Sequence, residues 1–336
     1  MFSGEIFMKM LFFEEKESEK AYFDTHELPD FEITRFETAL NKDTELTEEQ
    51  YRETVVLSVF INSEITEKVI SKFKNLMIIA TRSTGYNHID IDECKRRNIA
   101  VINVENYGRT SVAQYTIGLM INMVRKIIPA NENIKRHIFC KDCYNGKDLS
   151  NMTLGVIGTG AIGETVCKIA NALDMKVLAC DCIKNENIKD FTDYCDFDEL
   201  LKTSDIITLH LPYNKSTYHL LGEKEFEKMK DGVYIINTSR GELIDIEALY
   251  NSIIKGKVKG AALDVLECEA SVFTTNFPNT QCLKYTLYAW LLAEHPNVII
   301  TPHIAYCTTA SVNKIMDMTF QSVKDYFKGK NTNLVF

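Results

Sequence analysis

A glycine triplet between two structured segments limits the folds open to this chain more than any other feature. The motif G-x-G-x-x-G is formed by Gly158, Gly160 and Gly163. It stands between an apolar run, residues 153–157, and an amphipathic helical pattern, residues 162–172. In that context the first glycine permits a tight turn, the second lets the backbone approach a pyrophosphate, and the third lets helix and strand pack closely. The helix N-terminus, with Ala161 and Ile162, then faces the anion, so the triplet predicts a dinucleotide-binding βαβ unit.

Short apolar runs alternate with helical patterns along most of the chain. The runs that predict strands are residues 9–13, 54–60, 76–80, 100–104, 153–157, 176–180, 206–211, 233–237, 260–263 and 298–301. The patterns that predict helices are residues 66–73, 90–97, 111–128, 162–172, 197–201, 223–229, 246–255 and 308–327, and residues 131–150 form a polar stretch. Strand–helix alternation implies βαβ units and parallel sheets.

The length of 336 residues corresponds to about two domains at ~150 residues each. We predict an α/β protein of two doubly wound, Rossmann- or flavodoxin-like parallel-sheet domains with a cleft between them. Residues 106–300 form the dinucleotide-binding Rossmann domain, and residues 1–105 with 301–336 form the substrate (catalytic) domain. The chain then crosses between the domains twice, and the last helix returns to the first domain.

The charge balance excludes several classes of function. The chain has 38 Lys+Arg against 47 Asp+Glu, a net charge of −9, without a block of basic residues. This argues against proteins that bind nucleic acid or anionic lipid through their overall field, but not against a pocket for a small anion. The longest apolar run, residues 115–124, is shorter than the ~18–20 residues of a membrane span. Residues 1–9 lack a signal-peptide pattern, so we expect a cytoplasmic protein without membrane or nucleic-acid partners.

Ten cysteines raise the question of redox state and metal binding. In a cytoplasmic protein the thiols are expected to be reduced. Cys140 and Cys143 have C-x-x-C spacing, but a zinc ribbon needs a second such pair, and Cys180 and Cys182 are spaced too closely. We therefore predict no metal site, and thiols that are buried or inactive.

An acidic residue after the next strand sharpens the cofactor prediction. Asp181 lies eighteen residues past Gly163, at the end of the run 176–180. An acid there bonds the ribose hydroxyls and repels a 2′-phosphate. Because Cys182 and Ile183 provide no arginine for that phosphate, the sequence predicts NAD rather than NADP. The alternative for Asp181 is a solvated loop acid.

Three further runs end in residues with complementary chemistry. Arg240 follows the run 233–237, Asp264 follows 260–263 with Glu269 five residues on, and His303 follows 298–301. The carboxyl ends of parallel strands share one edge of a sheet, where ligands bind. Arginine binds a carboxylate through two hydrogen bonds, and histidine beside a carboxylate is a natural acid–base group. These residues predict a site for proton transfer on a small anion.

Each of these residues also has a plain structural explanation. Arg240 could pair with a surface acid, Glu269 could be a rim charge, and His303 could be a loop histidine. Taken together, these explanations compete poorly with a pocket. The histidines expected to be solvated are His26, His137, His219 and His295. Those expected to pack or hydrogen-bond near the predicted site are His88 and His210.

With these residues in place, the chain resembles the D-isomer-specific 2-hydroxyacid dehydrogenase family from about residue 75 onward. The segments that carry the resemblance are residues 81–90 (TRSTGYNHID), 111–116 (SVAQYT), the glycine triplet, 209–212 (LHLP), 237–241 (NTSRG), 262–269 (ALDVLECE) and 301–306 (TPHIAY). The run RSTGYNHID and the long insertion, residues 270–297, are most similar to the D-lactate dehydrogenase branch, including the pyruvate reductases of the vancomycin-resistance pathway.

The resemblance implies a role for each position. Arg240 binds the substrate carboxylate, His303 protonates the carbonyl oxygen, and Glu269 holds His303 and favours its charged form. Asp264 tunes the same network and belongs to the cofactor site. The other positions implied to contact NAD are Val112, His210, Pro212, Asn214, Thr217 and Thr238. Those implied to contact substrate are Thr84, Gly85, Tyr107, Phe60 and Tyr306. A homodimer is also implied.

Two departures from the family pattern bear on which substrate is predicted. The first 50 residues match weakly, and Phe60 stands where D-lactate-specific members have tyrosine. We therefore predict NADH-dependent reduction of a 2-keto acid, pyruvate first, to the D-2-hydroxy acid. One alternative is a dehydrogenase for larger branched or aromatic 2-keto acids, of the 2-hydroxyisocaproate or phenyllactate type. A more distant one is an NAD-sensing protein like the corepressors that resemble this family.

Overall fold

The computed structural model describes residues 8–272 and 282–336, with only the backbone given for 270 and 271. The chain divides into two compact units. Unit one comprises the residues up to Tyr107 together with Cys307–Phe336, and unit two comprises Gly108–Tyr306. The chain thus crosses between units after residues 107 and 306.

Unit one contains a five-stranded parallel sheet in the order β2-β1-β3-β4-β5. Its strands are β1 Met8–Phe12, β2 Phe31–Arg35, β3 Val56–Val59, β4 Ile78–Thr81 and β5 Ala100–Ile102. Its helices are α1 Glu17–Phe23, α2 Glu48–Glu53, α3 Glu67–Ile70, α4 Ile91–Arg96 and the C-terminal α13, Thr309–Phe327. Successive strand residues point to opposite faces, so Val56 and Leu57 enter different core clusters and both faces are buried.

Unit two contains a seven-stranded parallel sheet in the order β12-β11-β10-β9-β6-β7-β8. Its strands are β6 Thr153–Ile157, β7 Lys176–Cys180, β8 Asp193–Tyr194, β9 Ile206–Leu209, β10 Val233–Asn237, β11 Val258–Leu263 and β12 Val298–Ile300. Its helices are α5 Arg109–Arg125, α6 Ile127–Lys135, α7 Ala161–Ala172, α8 Phe197–Thr203, α9 Glu223–Lys228, α10 Ile246–Ile254, α11 Glu269–Val272 and α12 Leu283–Ala293. Ile235 and Ile236 again enter separate cores. The predicted class, two doubly wound parallel-sheet domains, is confirmed.

The C-terminal helix packs on unit one. Its apolar residues Val312, Met316 and Phe320 share a core cluster with Phe12 of β1. Tyr22 of α1 donates a hydrogen bond to Asp317 at 2.6 Å. The helix therefore completes a core that the first hundred residues begin.

Two predicted segments need correction. The helix predicted over residues 111–128 ends at Arg125, because Lys126 adopts a left-handed backbone (φ +54°) and a second helix, Ile127–Lys135, starts there. That second helix extends into the polar stretch over residues 131–150, for which no helix was predicted. Of the insertion over 270–297, residues 273–281 lie outside the described residues, and the rest contains α12.

The prediction of reduced thiols is wrong for one pair. Cys140 and Cys143 form a disulfide. Cys143 lies within the 3₁₀ turn Asp142–Tyr144 and Cys140 lies two residues before it; their Cα atoms are 5.7 Å apart, within the range that a disulfide spans. The other described cysteines are free thiols.

Within the described ranges, neither a helix long and apolar enough to cross a membrane nor a metal-binding group of three His, Cys, Asp or Glu side chains is found.

Candidate active site

The residues with predicted chemistry in unit two lie at one edge of its sheet. All seven strands run parallel, so the loops after β12, β11, β10, β9, β6 and β7 leave from the same side in that spatial order. These loops carry His303, Asp264, Arg240, His210, the first two glycines of the triplet and Asp181 respectively, and Gly163 lies in the first turn of α7. Strands far apart in the sequence thus bring the predicted catalytic and cofactor-binding residues to a common edge.

His303 and Glu269 form a hydrogen-bonded pair. Nδ1 of His303 lies 2.7 Å from Oε1 of Glu269, and their side chains are 30% and 35% exposed. The other oxygen of Glu269 accepts a hydrogen bond from the backbone N–H of Leu266 at 3.3 Å. The backbone of His303 is left-handed (φ +54°), and its N–H donates to the Asp264 carbonyl at 2.8 Å. Nδ1 is thereby engaged, which leaves Nε2 as the ring atom for proton transfer.

Asp264 builds the loop that carries His303. Its carboxylate accepts hydrogen bonds from the Thr301 hydroxyl at 2.6 Å and from the backbone N–H groups of Ile304 and Ala305 at 3.0 and 2.8 Å. Burial raises the pKa of Asp264, and these donors oppose that shift. Both oxygens are committed to the loop, so Asp264 acts on His303 through the backbone. Its predicted contact with cofactor stays a prediction.

Arg240 is held by its own turn. Its Nη1 donates to the Ser239 carbonyl at 2.6 Å, and its carbonyl accepts from the Asn237 side chain at 2.7 Å. Among the described residues, no carboxylate oxygen lies within 4.0 Å of the half-buried guanidinium. The surface ion pair that would explain Arg240 structurally is therefore not found in the described part of the chain.

The glycine triplet has the geometry that a pyrophosphate requires. Gly158 has a positive φ of 96°, and a Cβ on Gly163 would lie 2.0 Å from the Gly158 carbonyl oxygen. A Cβ on Gly160, the residue before α7, would meet open space. The first and third glycines are thus needed for the turn and its packing, whereas Gly160 borders the space in front of the helix with Ala161 and Ile162. The loop fits a dinucleotide.

Asp181 is bound to the same loop. Its Oδ2 accepts hydrogen bonds from the backbone N–H and the hydroxyl of Thr159, at 2.6 and 3.1 Å, and its Oδ1 accepts from Ile183 N–H at 3.1 Å. The carboxylate therefore joins the end of β7 to the glycine turn. Its contact with a ribose remains a prediction.

The remaining predicted cofactor residues of unit two follow β9 and β10 or lie on α5. His210 is half-buried, with Nε2 3.0 Å from the Thr208 hydroxyl; its buried Nδ1 has no hydrogen-bond partner within the described residues. Pro212, Asn214 and Thr217 form one exposed turn, in which the Thr217 hydroxyl donates to the Pro212 carbonyl at 2.8 Å. Thr238 shares a 2.8 Å hydrogen bond with Thr116 of α5, the helix that also carries buried Val112.

The predicted substrate residues divide between the units. In unit one, Phe60, Thr84 and Tyr107 follow β3, β4 and β5, and Gly85 accepts a hydrogen bond from the Ser83 hydroxyl at 2.6 Å. Phe60 is 5% exposed. In unit two, the Tyr306 ring lies edge-on to His303 with 6.4 Å between ring centroids.

The prediction that His219 is solvated is wrong. Its Nε2 lies 2.8 Å from the buried Glu267, and its ring stacks on Tyr218 with centroids 3.9 Å apart. Sequence reasoning also missed Thr301, which holds Asp264. The only local signal for Glu267 is its position two residues before Glu269, and nothing in the sequence links it to a histidine 48 residues away.

Comparisons with known proteins show which family and which solved structures the chain resembles. Residues 117–305 match the family D-isomer specific 2-hydroxyacid dehydrogenase, NAD binding domain. An aromatic 2-oxoacid reductase from Clostridium sporogenes is 39% identical over 273 residues, which cover 80% of this chain and 82% of that protein. A D-lactate dehydrogenase from Lactiplantibacillus plantarum is 31% identical over 326 residues, covering 96% and 97%. The structure of D-lactate dehydrogenase from Aquifex aeolicus complexed with NAD and lactic acid gives a TM-score of 0.85 at 36% identity, covering 97% of this chain and 98% of that one.

Proposed function

Since the chain belongs to the D-isomer-specific 2-hydroxyacid dehydrogenase family and is an NAD-dependent oxidoreductase, we propose that it reduces a 2-oxo acid, pyruvate first, to the D-2-hydroxy acid with NADH. The observation that carries the proposal is the 2.7 Å contact between His303 and Glu269. It stands at the same sheet edge as Arg240 and the glycine turn.

Each residue of this edge has one step in the proposed reaction. The Arg240 guanidinium binds the substrate carboxylate through two hydrogen bonds, which orients the carbonyl. A carboxylate beside an imidazole favours the imidazolium form, and His303 donates its Nε2 proton to the carbonyl oxygen. NAD, in its reduced form, supplies the hydride when bound. With the proton that His303 donates, the carbonyl oxygen becomes the hydroxyl group of the product.

The other substrate contacts that the resemblance implies remain predictions. The residues concerned are Phe60, Thr84, Gly85 and Tyr107, with Tyr306 from unit two. The loops after β3, β4 and β5 carry those of unit one. The homodimer implied by the resemblance stays a prediction.

A larger, aromatic 2-oxo acid is the second candidate substrate. Phe60 is apolar where a tyrosine is expected for D-lactate specificity, and the Lys16 ammonium lies 3.4 Å from the centroid of its ring. A protein that is 39% identical is an aromatic 2-oxoacid reductase. A more apolar position at Phe60 favours a larger side chain on the substrate.

A substrate panel tests the proposal. The purified chain is assayed with NADH and pyruvate, 4-methyl-2-oxopentanoate or phenylpyruvate, and the product configuration is determined by chiral chromatography. We expect the highest kcat/KM with pyruvate and a D product. A higher value with phenylpyruvate selects the second candidate, and Phe60→Tyr should then shift the preference toward pyruvate. An L product, or no reduction of any of the three, would contradict the proposal.

A further inference from the structure

A second histidine–glutamate pair lies beside the candidate active site and takes no part in the chemistry proposed above. Nε2 of His219 lies 2.8 Å from Oε2 of Glu267, and Nδ1 lies 3.8 Å from Oδ2 of Asp245. The Tyr218 hydroxyl donates to Glu267 at 3.3 Å. Only 10% of the Glu267 side chain is exposed, against 24% for His219. A carboxylate so deeply buried is stable only when it is hydrogen-bonded, and Glu267 is held by His219, by Tyr218 and by the Tyr285 hydroxyl, which also hydrogen-bonds to it.

The pair connects the two loops that carry Arg240 and Glu269. Glu267 lies in the loop after β11, two residues before Glu269. His219 donates its backbone N–H to the Glu242 carbonyl at 2.8 Å, and Leu221 donates to the Leu243 carbonyl at 3.0 Å. The segment around His219 is therefore bonded to the 3₁₀ turn Gly241–Leu243, which directly follows Arg240.

Gly241 brings these two loops into backbone contact. A Cβ on Gly241 would lie 2.1 Å from the carbonyl carbon of Leu266 and 2.2 Å from the nitrogen of Glu267. Leu266 in turn donates its N–H to Glu269. Because the loops touch without a side chain between them, a displacement of Glu267 moves both the Arg240 turn and the Glu269 carboxylate.

The negative charge near Arg240 makes His219 important for the contact between the two loops. Glu242, Glu267 and Glu269 lie within one short region around Arg240, and burial, with Glu267 and Glu269 nearby, raises the pKa of Glu242 even though Arg240 opposes the shift. Clustered carboxylates repel one another. A hydrogen-bond donor that fixes Glu267 keeps this cluster compact.

We propose that His219 and Glu267 are positioning residues that hold the carboxylate-binding Arg240 and the proton-transfer partner Glu269 at a fixed separation. This rests on the proposed function, because it assigns the pair to the same site. The pair acts through the two loops and does not touch substrate. Its loss therefore affects substrate binding and turnover together, while the glycine turn on the other side of β10 and β9 keeps its geometry.

Two variants at one position test the proposal. His219 has a left-handed backbone (φ +48°), which asparagine tolerates better than most residues. His219→Asn keeps that backbone but is too short to reach Glu267, whereas His219→Gln retains a donor at a similar reach. We expect His219→Asn to raise the KM for the 2-oxo acid and to lower kcat, each by about three- to tenfold. His219→Gln should recover most of both, and the Kd for NADH should stay within twofold in both variants.

Matched controls separate positioning from general destabilisation. His295→Asn makes the same chemical change in the same unit, at a half-buried turn residue whose Nδ1 accepts a hydrogen bond from Asn297 N–H, and should leave both constants unchanged. Glu267→Gln preserves volume and supplies a second test if His219→Asn does not fold. The proposal would be overturned if His219→Asn lowered Tm but left KM unchanged and reduced kcat only in proportion to the inactive fraction of the protein. It would also be overturned if KM and kcat were the same in His219→Asn and His219→Gln.

The failure of this proposal is distinguishable from failure of the proposed function. If the unmodified chain reduces none of the three acids, the proposed function is wrong. The positioning role is then measured by NMR, through the proton resonance of the hydrogen bond between His303 Nδ1 and Glu269. That resonance should shift or broaden in His219→Asn and be restored in His219→Gln. An unchanged resonance in His219→Asn would contradict the positioning role.

Discussion

Two arginines just beyond parallel strands show how differently the two units use the same kind of edge. Arg82 follows β4 in unit one and is completely buried. It donates to Glu19 at 2.8 Å, to the Ser58 hydroxyl at 2.9 Å and to the carbonyl of Phe13 at 2.7 Å. Arg240 follows β10 in unit two, is half-buried, and within the described residues donates only to Ser239. Arg82 therefore stabilises the fold, whereas Arg240 has donors left for a ligand.

The acids at the two edges repeat this contrast. Glu14 of unit one accepts hydrogen bonds from Phe60 N–H, Asn62 N–H and the Ser63 hydroxyl at 3.1, 3.0 and 2.5 Å. Glu269 of unit two is 35% exposed and bound to one histidine and one N–H. A charged group that stabilises the fold thus differs from one available for chemistry in its burial and in its number of hydrogen-bond partners. Residue type alone does not distinguish the two.

The largest expected effect concerns His303. His303→Asn keeps a residue that tolerates φ +54° but removes the proton donor, so kcat for reduction should fall by roughly 10²–10⁴-fold. NADH binding, measured by fluorescence titration, should be unchanged. His26→Asn, an exposed histidine of unit one, is the matched control with normal kcat. Normal kcat in the His303 variant would show that His303 is not the proton donor, and the edge of unit two would then not differ from that of unit one in this respect.

Substituting each arginine by methionine tests the comparison directly. Arg82→Met leaves Glu19 buried without its cation and should lower the free energy of unfolding by about 3–5 kcal/mol. Arg240→Met should change stability little but raise the KM for the 2-oxo acid by about 100-fold, because hydrogen bonds to a charged group contribute ~1.5–3 kcal/mol. Urea unfolding and steady-state kinetics measure the two effects. If Arg82→Met were as stable as the unmodified chain, its structural role would be refuted.

Two glycines of unit two are expected to differ in role: one is needed for stability and the other for NADH binding. Gly160→Ala places a Cβ in open space, so Tm should be unchanged while the Kd for NADH rises at least ~10-fold as the methyl blocks the pyrophosphate. Gly163→Ala places a Cβ 2.0 Å from the Gly158 carbonyl oxygen and should lower Tm. Thermal melts and NADH titration of both variants provide the test. Equal losses of Tm in the two variants would argue against separate roles for the two glycines.

The smallest expected effect is a pH dependence shared by both units. Burial lowers the pKa of His88 in unit one to about 4 and that of His210 in unit two to about 3, from 6.5. Below pH 6.5 the unfolded chain binds protons that the folded chain does not. Stability is therefore complete above pH 6.5 and falls as the pH drops toward 4, by at most ~1.4 kcal/mol per pH unit for each group. Urea unfolding at pH 7 and 5.5 measures this slope, which His88→Gln should reduce; an unaltered slope would exclude His88 as its source.

Sequence patterns predict the strands of unit two well because those strands are continuous apolar runs between clear turns. Residues 153–157, 176–180 and 233–237 are found with the predicted bounds. In the first fifty residues, strand β2 was not predicted. Its sequence, Phe-Glu-Ile-Thr-Arg, has one buried residue and therefore lacks a continuous apolar run. The break at Lys126 depends on a left-handed residue that hydrophobic periodicity does not reveal.

The sequence predicts a side-chain contact in the site where residues in the loops after strands have complementary chemistry. His303 and Glu269 are of this kind, and their hydrogen bond is found. The commitment of Asp264 to the loop through Thr301 depends on hydrogen bonds across 37 or more residues, and so does the pairing of His219 with Glu267. Such contacts are fixed by tertiary packing and have no local pattern.

The discontinuity of unit one has a consequence for folding during synthesis. Unit two, residues 108–306, is contiguous and is made between β5 and the last helix of unit one. At ~5–20 residues per second the ribosome needs roughly 10–40 s to make those 199 residues. During that interval the sheet face with Met10, Phe12 and Ile78 lacks the α13 side chains that bury it. The nascent chain thus exposes an apolar surface suited to chaperone binding, and substitutions on the inner face of α13 should reduce the yield of folded protein in cells more than their effect on equilibrium stability implies.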